Sequence, residues 1–171
     1  MDIDYSFDQI EGIINLGSSK KIRPAALASM FYPGNSEELR DIVQTYLKGD
    51  INEQKKNINQ KFDILDIRVL IVPHAGYIYS GAIAASAYRL LQQNGNCFKR
   101  VFLLGPAHRF YIKGAAFPNA DIFETPLGKI NLEIEIIEKM LQDFSYISVS
   151  EKVHAEEHCL EVQLPFLQET L

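Results

Sequence analysis

Four histidines occur in the 171-residue chain, and three of them stand where a reactive site would be built. His74 directly follows an apolar run, residues 67–72, in Val72-Pro73-His74-Ala75-Gly76-Tyr77; His108 follows a second one, residues 101–104, in Leu104-Gly105-Pro106-Ala107-His108. Ligands of open α/β sheets bind beyond the carboxyl ends of the strands, so imidazoles at two neighbouring strand ends, ~5 Å apart, can converge on one point. A neutral imidazole is the commonest transition-metal ligand, and its pKa near neutrality also suits acid/base work. A lone loop histidine more often only satisfies backbone groups; the matched placement of these two favours a site.

His154 and His158 lie four apart in His154-Ala155-Glu156-Glu157-His158, a spacing that puts two side chains on one helix face. In the HExxH zinc pattern the general-base Glu would be residue 155, which is Ala, so that metalloprotease class is excluded. Glu156 and Glu157 are expected as dipole charges in the first turn of a final helix beginning near Glu156, with His158 a partly buried acid/base residue close to that start. Cys159 adjoins His158, but neighbours at i and i+1 on a helix do not face each other. It is expected as a reduced, largely buried thiol, remote from any metal. Ser80 lacks the Gly-x-Ser-x-Gly elbow and reads as a helix cap. Tyr77 and Tyr79 are candidate substrate-binding residues, although aromatics beside a helix start are more often packed.

Several elements must position these groups. Ser36 is expected to cap a helix with an apolar stripe of Leu39, Ile42, Val43, Tyr46 and Leu47, which Gly49 ends. Residues 50–63 are polar and read as a surface connection. The runs 67–72 and 101–104 read as buried strands, joined by a helix that Ser80 caps and Asn94-Gly95 end. A strand, helix and strand in ~40 residues predict a right-handed βαβ unit with parallel strands. A helix at residues 133–142, a strand at 146–149 and the final helix complete an α/β chain, a mainly parallel sheet covered by helices, in a single domain spanning residues 1–171.

Composition limits the function classes. Apolar residues make up 47% and charged residues 23%, with ten Gly, seven Pro and two Cys, which excludes disordered, collagen-like and disulfide-scaffold classes. A net charge of −5 with no basic block argues against nucleic acid and anionic membrane surfaces as partners. The start, Met1-Asp2-Ile3-Asp4-Tyr5, is acidic where a signal peptide is basic, and no apolar run approaches the ~20 residues that span a bilayer. A cytoplasmic protein is expected, and Cys97 and Cys159, in unlike contexts with no CxxC spacing, are not expected to pair.

Five ordered motif groups carry a specific resemblance: Arg23-Pro24-Ala25 with Phe31-Tyr32-Pro33; Pro73-His74-Ala75-Gly76-Tyr77 with Tyr79-Ser80-Gly81; Gly105-Pro106-Ala107-His108; Thr125-Pro126-Leu127-Gly128; and Glu157-His158-Cys159-Leu160-Glu161 with Leu164-Pro165-Phe166. From about residue 23 onward the chain resembles the Memo family (mediator of ErbB2-driven cell motility). That resemblance implies a fold similar to the class III extradiol dioxygenases, which hold a non-haem Fe(II) with two His and a carboxylate. It implies His74 and His108 as metal ligands, His158 as the acid/base residue, iron or copper as cofactor, and a small-molecule or peptide ligand. In the family the third ligand is a Cys downstream of the stretch matched here, so Cys159 is not expected to replace it. The chain resembles an amino-terminal portion of the family; an incomplete sheet open to association, weak metal binding and little turnover follow as expectations. The alternatives to a metal-dependent oxidoreductase are a binding or signalling module that keeps the pocket, and an inactive fragment.

Overall fold

The computed structural model describes residues 20–49, 67–92 and 98–171. The polar connection at 50–63, the Asn94-Gly95 helix end and Cys97 lie outside the described residues. In chain order the elements are β1 (Ile22–Arg23), α1 (Ser36–Lys48), α2 (Tyr77–Tyr88), β2 (Ala115–Phe117), β3 (Ile122–Thr125), β4 (Gly128–Asn131), α3 (Ile134–Asp143), β5 (Ile147–Val149), α4 (Glu151–Ala155), a 3-10 turn at Glu161–Gln163 and α5 (Leu164–Thr170).

The fold class is α/β. β1 pairs with β3 in parallel, β2 pairs with β5 in parallel, and β3 and β4 form an antiparallel hairpin. Thr125-Pro126-Leu127-Gly128 is the turn of that hairpin: Thr125 Oγ1 accepts the Leu127 N–H at 3.0 Å, and Gly128 has a φ of 131°, open to glycine alone at low cost. Helix α1 forms as its apolar spacing dictates, burying Leu39, Val43 and Leu47 along one stripe. Its cap is Asn35 rather than Ser36, because Asn35 has extended backbone and its Oδ1 accepts from the N–H groups of Glu37 and Glu38. The stripe packs with Leu27, Tyr32, Tyr77, Ala84, Ala85, Tyr88, Val162 and Phe166 into one core, which joins α1 to α2 and α5.

Three expected elements differ. Helix α2 starts at Tyr77 after Gly76, so Ser80 is a buried residue of its first turn, and its Oγ donates to the Ala75 carbonyl at 3.2 Å. The expected final helix near Glu156 is divided. Ser150 caps the short α4, the chain turns through 157–160, and helical structure resumes at Glu161. His154 and His158 therefore do not share a helix face. The runs 67–72 and 101–104 join no sheet, so the expected βαβ unit is absent among the described residues. β-branched content favours a pleated surface, but a strand exists only through cross-strand partners. Without them, Ile71 is 95% and Leu104 91% exposed. No helix among the described residues is long and apolar enough to cross a membrane.

Candidate metal centre

Each of the three histidines is presented by a loop that side chains tie down. Gln163 Nε2 donates to the Pro73 carbonyl at 3.1 Å, and its Oε1 accepts from the buried Tyr88 hydroxyl, which fixes the loop before His74. The Cys159 thiol donates to the Pro106 carbonyl at 3.1 Å and so holds the loop before His108. His158 lies on the turn between α4 and the 3-10 segment.

These loops bring the imidazoles together. Ring centroids are 5.2 Å apart for His74 and His108, 5.8 Å for His74 and His158, and 4.5 Å for His108 and His158, the last pair stacked. One nitrogen from each ring lies within 4.8 Å of the others. First-row metals bind imidazole at ~2.0–2.1 Å, so one ion can sit among nitrogens up to ~4 Å apart, and a small side-chain adjustment closes the remainder. An all-imidazole donor set suits iron, copper, zinc or nickel rather than magnesium or calcium. The residues present therefore fit a transition metal. The Phe31 ring also lies against His158, with centroids 4.6 Å apart and planes tilted by 30°.

The two tyrosines proposed from the sequence do not join this cluster in a common way. Tyr77 is 2% exposed, within the core, and its hydroxyl donates to the Val162 carbonyl at 2.9 Å. Tyr79 is 78% exposed.

Glu157 is a residue whose role sequence reasoning missed. It is not a solvated dipole charge but is 4% exposed, and its carboxylate faces the histidines. Its Oε1 accepts from the N–H groups of His158 and Cys159 at 2.9 and 3.0 Å and lies 2.9 Å from His108 Nδ1; its Oε2 accepts the His108 N–H at 2.7 Å. Burial alone would raise its pKa, but the hydrogen bonds from Cys159 and His108 outweigh burial and hold the carboxyl at about 2. His158 is lowered below the ordinary histidine value, first by burial and then by the His108 and His74 imidazoles, against the opposing pull of Glu157. The Cys159 thiol is pushed up to about 12 by burial and by the Glu157 carboxylate beside it.

Cys159 is buried as expected, but it is not remote from the site: its Sγ, a Glu157 oxygen and a His108 nitrogen also lie within 4.8 Å of one another. The chain is not helical at 157–160, and Pro106 brings the His108 loop to the thiol.

A buried brace supports the turn that carries these groups. The Arg23 Nε donates to the His154 carbonyl and its Nη2 to the Glu157 carbonyl, both at 2.9 Å, while its Nη1 pairs with Glu161. The Glu161 carboxylate also accepts the Leu27 N–H at 2.9 Å and the Tyr32 hydroxyl. The arginine of Arg23-Pro24-Ala25 and the last glutamate of Glu157-His158-Cys159-Leu160-Glu161 are thus partners, a relation that only the folded chain reveals.

Comparison with known proteins identifies the family of the chain. Residues 23–171 match the family described as Memo-like protein. A MEMO1 family protein of Aquifex aeolicus is 38% identical over 148 residues, covering 86% of this chain and 50% of that protein. A MEMO1 family protein of Ignicoccus hospitalis is 36% identical over 152 residues, covering 86% and 51%. One from Methanobrevibacter smithii is 37% identical over 149 residues, covering 86% and 52%. The chain spans about half the length of these curated relatives. Its motifs, its match across most of its length and its relatives place it in one group: the chain belongs to the Memo-like family.

Proposed function

We propose that the histidine cluster is the metal centre of a metal-dependent redox enzyme, similar in chemistry to the extradiol dioxygenases, acting on a small-molecule or peptide ligand. The observation that carries this reading is the convergence of His74, His108 and His158 nitrogens within 4.8 Å. His74 and His108 hold the metal, iron or copper, which supplies Lewis-acid and one-electron chemistry when bound. His158 is the proton carrier: its lowered pKa keeps it neutral, hence a competent base, at neutral pH. Phe31 shields one face of that ring from water.

Anaerobic reconstitution of the longest available form with Fe(II) or Cu, followed by catechol ring-cleavage and oxidase assays, tests the reading. Turnover that falls about 10²–10⁴-fold in His158→Gln while metal is retained is the expected result. Stoichiometric metal binding with no turnover in any assay favours instead a binding or signalling module that retains the pocket.

The exposed apolar side chains of Val69, Ile71, Phe102 and Leu104 favour a further element of the same reading. We propose that residues 67–72 and 101–104 are covered by polypeptide equivalent to the part of the relatives that this chain does not span, added as strands. Co-expression with the remaining portion of the Aquifex aeolicus relative is expected to give a 1:1 complex with lower hydrophobic-dye binding. Separate elution with unchanged dye binding overturns it.

A further inference from the structure

The buried carboxylate of Glu157 has four acceptor positions and four N–H groups around it. Oε2 takes the backbone N–H of His108, and Oε1 takes the backbone N–H groups of His158 and Cys159 and faces His108 Nδ1. An ionised carboxylate offers about four lone-pair sites. Oε1 faces three of these donors and Oε2 one, so the carboxylate is held by the protein's own N–H groups. Its contact with His108 Nδ1 has a chemical consequence. The carboxylate can only accept, so the ring nitrogen facing it must carry the proton, and Nε2 is left with the lone pair. The same carboxylate oxygen lies 3.2 Å from His158 Nδ1, so one group stands behind both stacked imidazoles.

His154 supplies an internal contrast. Its Nε2 lies 2.8 Å from the Ala116 carbonyl, which can only accept, so His154 carries its proton on Nε2. Two histidines of one short chain are thereby held in opposite tautomers by acceptors of different kinds.

We infer that Glu157 is a positioning residue: by accepting from His108 Nδ1 while gripping the His108 and His158 backbones, it fixes the tautomer and orientation in which His108 Nε2 is the available donor. This rests on the reading of His108 as a metal ligand, but the tautomer itself does not require a metal. A carboxylate behind a ligating imidazole fixes the ring and raises its basicity, and loss of such a partner typically costs about 10–100-fold in metal affinity.

The test is a histidine ring ¹⁵N–¹H correlation spectrum of the metal-free chain at neutral pH, followed by calorimetric titration with Zn²⁺. The expected spectrum shows His108 protonated on Nδ1 and His154 on Nε2. A His108 ring protonated on Nε2, or averaging freely between the two, overturns the inference without any variant. In Glu157→Gln one oxygen becomes an NH₂ donor that cannot accept from all four N–H groups. Loss of the fixed His108 tautomer and an affinity drop of about 10–100-fold are expected. Glu157→Asp, which keeps the charge but retracts the carboxylate, serves if Glu157→Gln fails to fold and is expected to fall between the two. An unchanged tautomer and unchanged affinity in a folded variant overturn the inference. A correct tautomer in a chain that binds no Zn²⁺ supports the inference and removes instead the reading of His108 as a ligand.

Discussion

His108 and His158 stack with ring centroids 4.5 Å apart, although one loop precedes β2 and the other follows β5. The loops are joined by direct contacts: the Cys159 thiol donates to the Pro106 carbonyl, and the Glu157 carboxylate accepts the His108 N–H. Two imidazolium cations so close would repel, and this repulsion adds to burial in lowering the pKa of His158. The arrangement therefore favours a neutral His158 ring, the form that accepts protons.

Metal binding should depend on the cluster and not on any one exposed group. One Co²⁺ per chain is expected by optical titration, with His74→Ala and His108→Ala each weakening binding by at least about tenfold. A surface control, Glu156→Gln, should leave it unchanged, because Glu156 is exposed and pairs with exposed Arg109. Equal affinity in the His74→Ala chain would exclude a shared ion.

Cys159 should be inert at neutral pH. With its thiol pushed up to about 12, the nucleophilic thiolate is scarce, and the buried Sγ is engaged with Pro106. In a Cys97→Ser background, labelling by a neutral maleimide at pH 7.5 is expected to be far slower than that of the unfolded chain. Rapid labelling of the folded chain would contradict the burial described.

Stability should decline on mild acidification through His154. Burial lowers its pKa below the ordinary histidine value of 6.5, so the unfolded chain binds a proton that the folded chain resists. The stabilisation is present above pH 6.5 and is lost as pH falls below it toward the lower folded value. Thermal unfolding at pH 7.5 and 5.5 should show a larger drop for the wild type than for His154→Gln. An equal drop in both would assign the acid sensitivity to other groups.

The brace between Arg23 and Glu161 should be the costliest polar contact to break. Glu161→Ala leaves a buried guanidinium, the Leu27 N–H and the Tyr32 hydroxyl without their acceptor. A loss of about 3–5 kcal/mol is expected in denaturant unfolding, the range for removing one partner of a buried ion pair. A loss under about 1 kcal/mol would mean that water or a neighbouring group replaces the carboxylate.

The sequence by itself determined the buried face of α1 and the family. The spacing of Leu39, Val43 and Leu47 set the buried face of α1, and the ordered motifs from Arg23 to Phe166 sufficed to identify the Memo-like relationship. Helical periodicity and motif order are properties of the chain alone, and so they were legible. Tertiary structure decided which groups meet. Strand formation at 67–72 and 101–104 depends on partners rather than propensity, so apolar runs that read as buried strands join no sheet here. Glu157 read as a helix-start charge because the N–H groups that donate to it were invisible. The break in helical structure at 157–160 turns it inward, and the His108 loop, held to Cys159 through Pro106, meets it there. A carboxylate's role follows from the donors that surround it, and those donors come from residues far apart in the chain.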